Sequence, residues 1–297
     1  MTFSIEGRWS IILCPTLEPM MHSRKCKHCD EEFSLDLNSC PHCACPSLYP
    51  NVDRVGVADQ RAALAQRYNA ARSRSVAAGT LDKVEKLEQL ALKSEACKTL
   101  PAGELVALAS SDTRVGATYY QQVSGGCRIP DTNEWDKLRR IADAAVHRSY
   151  GHNIHFAALS TAGRWLSNYG DGAVFFKEKM ISHRATVFEE NTAVWASERT
   201  ADISVPPGVQ AVWEERHKLV VAKLADKVSG SGDLNELILS SGTTTGSDLF
   251  LEVHIYGTFT LKSMSSIIFK KGALPDLKRE SILERAVTNG IVVKEIA

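Results

Sequence analysis

No apolar run in this 297-residue chain approaches the roughly 18 residues that a membrane-spanning helix requires, and a membrane role is therefore not expected. A secretory signal is also missing. Ile11-Ile12-Leu13-Cys14 is too short an apolar core, and it follows Glu6 and Arg8 with no small-residue cleavage pattern. Net charge is absent too: 35 basic residues balance 35 acidic ones, which excludes a surface that is one continuous nucleic-acid or membrane footprint. Neither HExxH, GxSxG nor the lysine-bearing phosphate loop occurs. With 44% hydrophobic and 24% charged residues, the chain is neither disordered nor fibrous by composition.

What is present is a concentration of cysteine. Five of the eight cysteines fall between positions 26 and 45, as Cys26-Lys27-His28-Cys29, Cys40-Pro41-His42-Cys43 and the adjacent Cys45. A CxxC segment turns tightly enough to offer two thiolates to one ion, and two such segments complete a tetrahedron. Cys26, Cys29, Cys40 and Cys43 are therefore expected to hold one structural zinc, with Cys45 a competitor for the place of Cys43 and His22, His28 and His42 further candidates. A reducing, cytoplasmic compartment suits paired cysteines used in this way. The spacer places Phe33, Leu35 and Leu37 in alternation, as in a hairpin strand. Residues 22–50 resemble the short zinc-ribbon modules of many bacterial and archaeal proteins, with Asp30 and Ala44 standing where glycine often follows each knuckle. A ribbon implies an adaptor role. Three basic residues against four acidic ones between Arg24 and Asp36 favour protein contact or plain structural capping over phosphate.

The fold class expected is α+β: the ribbon, then a helical layer over 51–150, then a mixed α+β part over 151–297. Before it, Trp9 to Leu13 suits a short strand. The helical stripes are Val57, Leu64, Tyr68 and Ala71; then Leu81, Val84, Leu87, Leu90 and Ala91 behind a Thr80 cap; then Leu105 to Val123 after Pro101; then Trp135, Leu138, Ile141, Ala142 and Ala145. Residues Arg54 to Arg74 carry five arginines against Asp59 alone. They read either as a nucleic-acid contact or, preferred here, as the flanks of an ordinary amphipathic helix. Beyond Gly151, strands are expected over Asn153–Ser160, Gly172–Lys177, Ala185–Phe188, Leu249–Tyr256, Ser265–Phe269 and Ile291–Val293. A helix is expected from Val209, with Glu214 to Lys218 as its solvated face, and another near Asp276 to Thr288.

Strand periodicity sets Glu252, His254 and Tyr256 on one face at ~7 Å intervals, with Leu251, Val253 and Ile255 on the other. A carboxylate, an imidazole and a phenol so aligned suit acid/base work in a cleft. Tyr169-Gly170-Asp171, His183-Arg184-Ala185-Thr186 and Glu252-Val253-His254-Ile255-Tyr256-Gly257 together resemble the strand signatures of ADP-ribosyltransferase-like domains, with Ser160-Thr161 a partial counterpart of their Ser/Thr strand. That resemblance implies NAD as cofactor, Arg184 as its anchor and Glu252 as the carboxylate that polarises the ribose; His254 is a candidate from the strand face alone, and Glu-x-His departs from the family's glutamate motif. Two functions are thus in play: a zinc-ribbon binding protein, and a nucleotide-using transferase.

Overall fold

A computed structural model describes residues 23–296 apart from 36, 38, 130–133 and 200–202; of Glu134 and Trp135 only the backbone is described. The strand expected at Trp9 to Leu13 and the candidate ligand His22 lie outside the described residues, as does the Trp135 side chain.

The cysteine-rich segment opens with a short antiparallel hairpin, β1 (Ser23–Lys25) against β2 (Glu32–Ser34). Phe33 and Leu35 are buried, but the strand stops at Ser34 and leaves Leu37 42% exposed, so the alternation covers two of its three residues. Helix α1 (Pro50–Val55) follows, begun by a proline whose missing N–H costs nothing at that position. Helices α2 (Ala58–Ala77) and α3 (Leu81–Leu92) bury the expected stripes, with Leu64, Ala71, Val84, Leu87 and Ala91 inward. Thr80 stands at the start of α3, but its hydroxyl points back to the Ser75 carbonyl instead of capping the helix.

A strand interrupts the helical run at this point. β3 (Glu95–Leu100) lies inside the main sheet, flanked by β4 and β5 as defined below. Next come α4 (Ala102–Ala109), α5 (Tyr119–Ser124, with a Thr118–Gln121 capping box) and α6 (Glu134–Val146). The stripe expected to run unbroken from Leu105 to Val123 is cut at Ala109, and Val115 is half exposed.

The remaining elements alternate: β4 (Ile154–Ser160), β5 (Gly172–Phe176), α7 (Glu178–Ile181), β6 (Ala185–Phe188), α8 (Thr192–Ser197), β7 (Gln210–Val212), α9 (Arg216–Leu224) and α10 (Leu234–Ile238). They are followed by a small hairpin of β8 (Leu239–Ser240) and β9 (Leu249–Phe250), then β10 (Glu252–Tyr256), β11 (Met264–Lys270), α11 (Asp276–Thr288) and β12 (Val292–Ile296). Two expectations shift. Val209 to Val212 form an edge strand and its approach, and the helix starts only at Arg216. Within the run Glu214 to Lys218, Glu215 and Arg216 are buried, and Arg216 donates to the carbonyls of Leu92 and Trp213 while stacking over the Trp213 ring.

Eight strands form one sheet in the order β12-β11-β5-β3-β4-β10-β6-β7. Every pairing is antiparallel except β11 with β12, and those two are joined by the crossover helix α11, as a parallel pair requires. One face carries Ala96, Leu100, Leu159, Val174, Val187, Val253 and Ile255 into the main core beneath α2, α3, α9, α4 and α11. The opposite face carries Phe188 beneath α6 and α8, where Ala142, Val146, Trp195 and Ala196 close over it. At β5 the second face is covered instead by Cys97, Ile268 and Trp165 around Ala173 and Phe175, which explains why Gly172 to Phe176 is buried at every position and not at alternate ones. α+β architecture is therefore what the chain adopts, with the strands of the main sheet drawn from residues 95 to 296.

The ribbon is tied to this body through α1. Arg24, stacked over Phe33 at 4.5 Å, forms an ion pair with Asp53. Two residues earlier, the buried Asn51 amide donates to the carbonyls of Arg184 (3.0 Å) and His254 (3.2 Å), which fixes α1 to the sheet.

Candidate functional site

The candidate metal centre is built from two copies of one turn. In the first, the Asp30 amide donates to the Cys26 carbonyl and the Cys26 amide to the Glu31 carbonyl; in the second, Ala44 donates to Cys40 and Cys40 to Cys45 in the same pattern. Each turn closes through a residue in the left-handed region, Asp30 at φ 58° and Ala44 at φ 57°. These are the positions where glycine is common, and holding alanine there costs about 1–2 kcal/mol, which something must offset. The thiol sulfurs supply the reason. Cys26, Cys29, Cys40 and Cys43 converge with their sulfurs all within 4.8 Å of one another. Cys26 and Cys43 Sγ are 3.5 Å apart and Cys29 and Cys40 Sγ 3.6 Å, close to the roughly 3.8 Å edge of a tetrahedron with zinc–sulfur bonds of about 2.3 Å. Four thiolates fit zinc and leave it no open position. Cys45 is not in the cluster and points its thiol at the Pro46 carbonyl, so the place is taken by Cys43. His28 and His42 are exposed and stand outside it.

The second constellation centres on Glu252. The expected alternation is present: Leu251, Val253 and Ile255 enter the main core, while Glu252 and His254 face the other way. That polar face is not in water. It lies under α6 and α8, and Glu252 is 2% exposed. Arg139 of α6 grips the carboxylate with two nitrogens, at 2.8 Å to Oε1 and 3.2 Å to Oε2. Thr192 donates to Oε2 from both its backbone amide (3.0 Å) and its hydroxyl, and His254 Nε2 lies 3.2 Å from the same oxygen. A carboxylate can only accept, so His254 carries its proton on Nε2. Burial alone would raise the carboxyl of Glu252, but the Arg139 charge and the His254 bond outweigh it and hold the group ionised, well below the usual range. Burial keeps His254 neutral against the pull of Glu252.

Around this pair lie further polar groups. The Arg139 guanidinium stacks on Phe156 at 4.0 Å, and the His147 ring meets His254 edge-on at 4.4 Å. Asp143, one turn beyond Arg139, accepts from the Tyr120 hydroxyl at 2.8 Å. Burial raises Asp143 to about 7 in spite of the Arg139 charge and the Tyr120 bond, and burial drives His147 well below its ordinary value. The inward face of α6 is thus Asp136, Arg139, Ala142, Asp143 and Val146, whereas Ile141, expected inside, is 47% exposed.

Arg184 does not join Glu252. Its guanidinium donates to the main-chain carbonyls of Met180, Tyr256 and Thr258, at the far end of β10, four residues or roughly 13 Å from Glu252 along the strand. It is a clamp on the turn after the strand. Among the arginines of 54–74, Arg61 pairs with Glu215, Arg67 with Glu189, Arg72 with Glu85 and Glu88, and Arg74 with Asp226. Arg54 reaches the Val146 carbonyl. The basic stretch is largely matched within the chain. No protein-family model matches the sequence, and no curated protein matches it as a relative. Among the described residues no helix is long and apolar enough to cross a membrane.

Zinc content should be one equivalent per chain, lost or halved by Cys26→Ser and unchanged by Cys45→Ser; equal loss in both variants would remove the assignment. For Asp143 the sign follows from its raised pKa. The folded carboxyl holds its proton to about 7, above the 3.8 of an ordinary aspartate, so its contribution to stability is full below about pH 4 and is lost as pH rises through 7. Urea unfolding of Asp143→Asn against the unaltered protein should therefore shift in favour of the variant by about 2 kcal/mol between pH 5 and pH 8. A difference that does not change with pH would contradict the burial argument.

Proposed function

We propose that this chain is a zinc-ribbon interaction protein, in which a metal-built head recognises a protein partner and the α+β body serves as its mount. The closed donor set carries this reading. Four cysteine sulfurs within 4.8 Å of one another leave no coordination site for water or substrate, which is the arrangement of structural zinc and not of catalytic zinc. Apolar surface is available beside it, with Leu37 42% and Leu48 60% exposed. A thiolate site of this kind is maintained in a reducing compartment, which supports a cytoplasmic setting. Pairing of Arg61, Arg67, Arg72 and Arg74 within the chain weighs against nucleic acid as the partner.

The transferase alternative draws little from the geometry. Both oxygens of Glu252 are engaged by Arg139, Thr192 and His254, and Arg184 is committed to carbonyls elsewhere, so no NAD-binding pair is assembled from them.

The reading is tested by affinity capture from lysate of the source cells with zinc-loaded full-length protein. A discrete protein should be retained by the unaltered chain and lost with Leu37→Glu/Leu48→Glu, a variant that keeps its zinc. Retention by both, or a retained species that nuclease removes, would contradict it.

A further inference from the structure

β3 and β4 run side by side over only three register pairs, Glu95 with Ser160, Ala96 with Leu159 and Cys97 with Ala158. Beyond that point β3 stays with β5 as far as Leu100, while β4 stays with β10 as far as Ile154. The two strands part at Lys98. Its amine reaches across the opening to the Phe156 carbonyl at 3.2 Å, the single hydrogen bond it makes among the described residues, and it forms no ion pair there. Lys98 therefore has donor capacity to spare inside the sheet. Burial pulls its pKa below the ordinary lysine value. An unpaired charge in such a place is costly, and the cost falls if an anion arrives to meet it.

A cavity of about 150 Å³ opens at this break, lined by Lys98, Arg139 and Glu252 on its polar side and by Phe156, Leu166 and Phe250 on its apolar side. Tyr169, 40% exposed, also lines it. The Arg139 and Glu252 charges cancel in their two-nitrogen contact. Lys98 has no carboxylate within ion-pair distance among the described residues, Glu104 and Glu252 acting on it only from farther away, so one negative charge and not two would meet its amine in the cavity. At the liquid share of about 30 Å³ per water, the space is roughly that of five waters. It suits a carboxylate with a short apolar tail. A phosphate dianion would bring a second charge against aromatic walls and the Glu252 carboxylate.

We propose that the opening between β3 and β4 is a binding site for a small apolar monocarboxylate, with its carboxylate on the Lys98 amine and the Tyr169 hydroxyl and its tail against Phe156, Leu166 and Phe250. The site is independent of the zinc ribbon.

Titration calorimetry of the full-length zinc-loaded protein with benzoate, butyrate and inorganic phosphate tests it. Benzoate should bind saturably with a Kd of ~1 mM or below, phosphate at least tenfold more weakly, and Lys98→Met should weaken benzoate at least tenfold. Because that substitution removes a part-buried charge that has no ion pair among the described residues, the unliganded variant should melt no lower than the unaltered protein, which separates lost binding from lost folding. Tyr169→Phe, at a part-exposed position, provides a second check and should weaken benzoate about threefold. Benzoate binding unchanged in both variants, no saturation in the unaltered protein, or phosphate binding as tightly as benzoate would each overturn the proposal.

Discussion

A carboxylate placed on the covered face of a β-sheet dictates much of what surrounds it. Glu252 sits on β10 between β4 and β6 and is 2% exposed, so its charge is met by protein groups and hardly by bulk water. Breaking such a pair by removing one partner costs far more than the pair contributes over a hydrophobic substitute. The elements that supply partners are therefore held in place: α6 by Arg139, the start of α8 by the Thr192 amide and hydroxyl, and the strand itself by His254. Arg139 is further pinned flat on Phe156, one strand away. Around that contact Trp195, Phe188, Ala142 and Val146 pack without polar demands of their own beyond the Trp195 indole. The polar centre is thereby committed to holding the second helical layer on the sheet.

The cysteine-rich segment obeys a different constraint. Its buried apolar side chains are few, Phe33 and Leu35 with the cysteines, and a segment of that size has no core adequate to fold alone. Metal–thiolate bonds at the four converging cysteines would take the place of a core and would offset the left-handed turns at Asp30 and Ala44. The two regimes meet at α1. Asp53 receives Arg24 from the ribbon while Asn51, two residues earlier, holds the carbonyls of Arg184 and His254 in the body.

Patterns that depend on one short-range rule were legible in the sequence. Two CxxC pairs specified the cysteines, and period-two alternation specified which way Glu252 and His254 point. What was not legible came from partners far away in the chain. On α6 the expected stripe of Leu138, Ile141, Ala142 and Ala145 is right for Ala142 and Ala145, which meet the core, but it misses the row Asp136, Arg139, Asp143 and puts Ile141 inside, because Glu252, 113 residues on, needs the guanidinium. A charged row at i, i+3 and i+7 on an otherwise amphipathic helix was the available signal. Arg184 looked like an anion anchor because its carbonyl partners cannot be seen in composition. β3 was absorbed into the helical layer because Glu-Ala-Cys-Lys-Thr-Leu lacks β-branched density and its alternation is only six residues long. The buried Arg216 within an apparently solvated run was hidden for the same reason as Arg139.

If the polar centre of the body is structure and not chemistry, Arg139 and Glu252 must behave as a unit. A double-mutant cycle with Arg139→Met and Glu252→Gln, read by urea unfolding, measures this directly. Each single substitution is predicted to lose about 3–5 kcal/mol, and the double variant no more than the worse single one, since each leaves the other partner buried without its match. Losses that simply add would contradict the account.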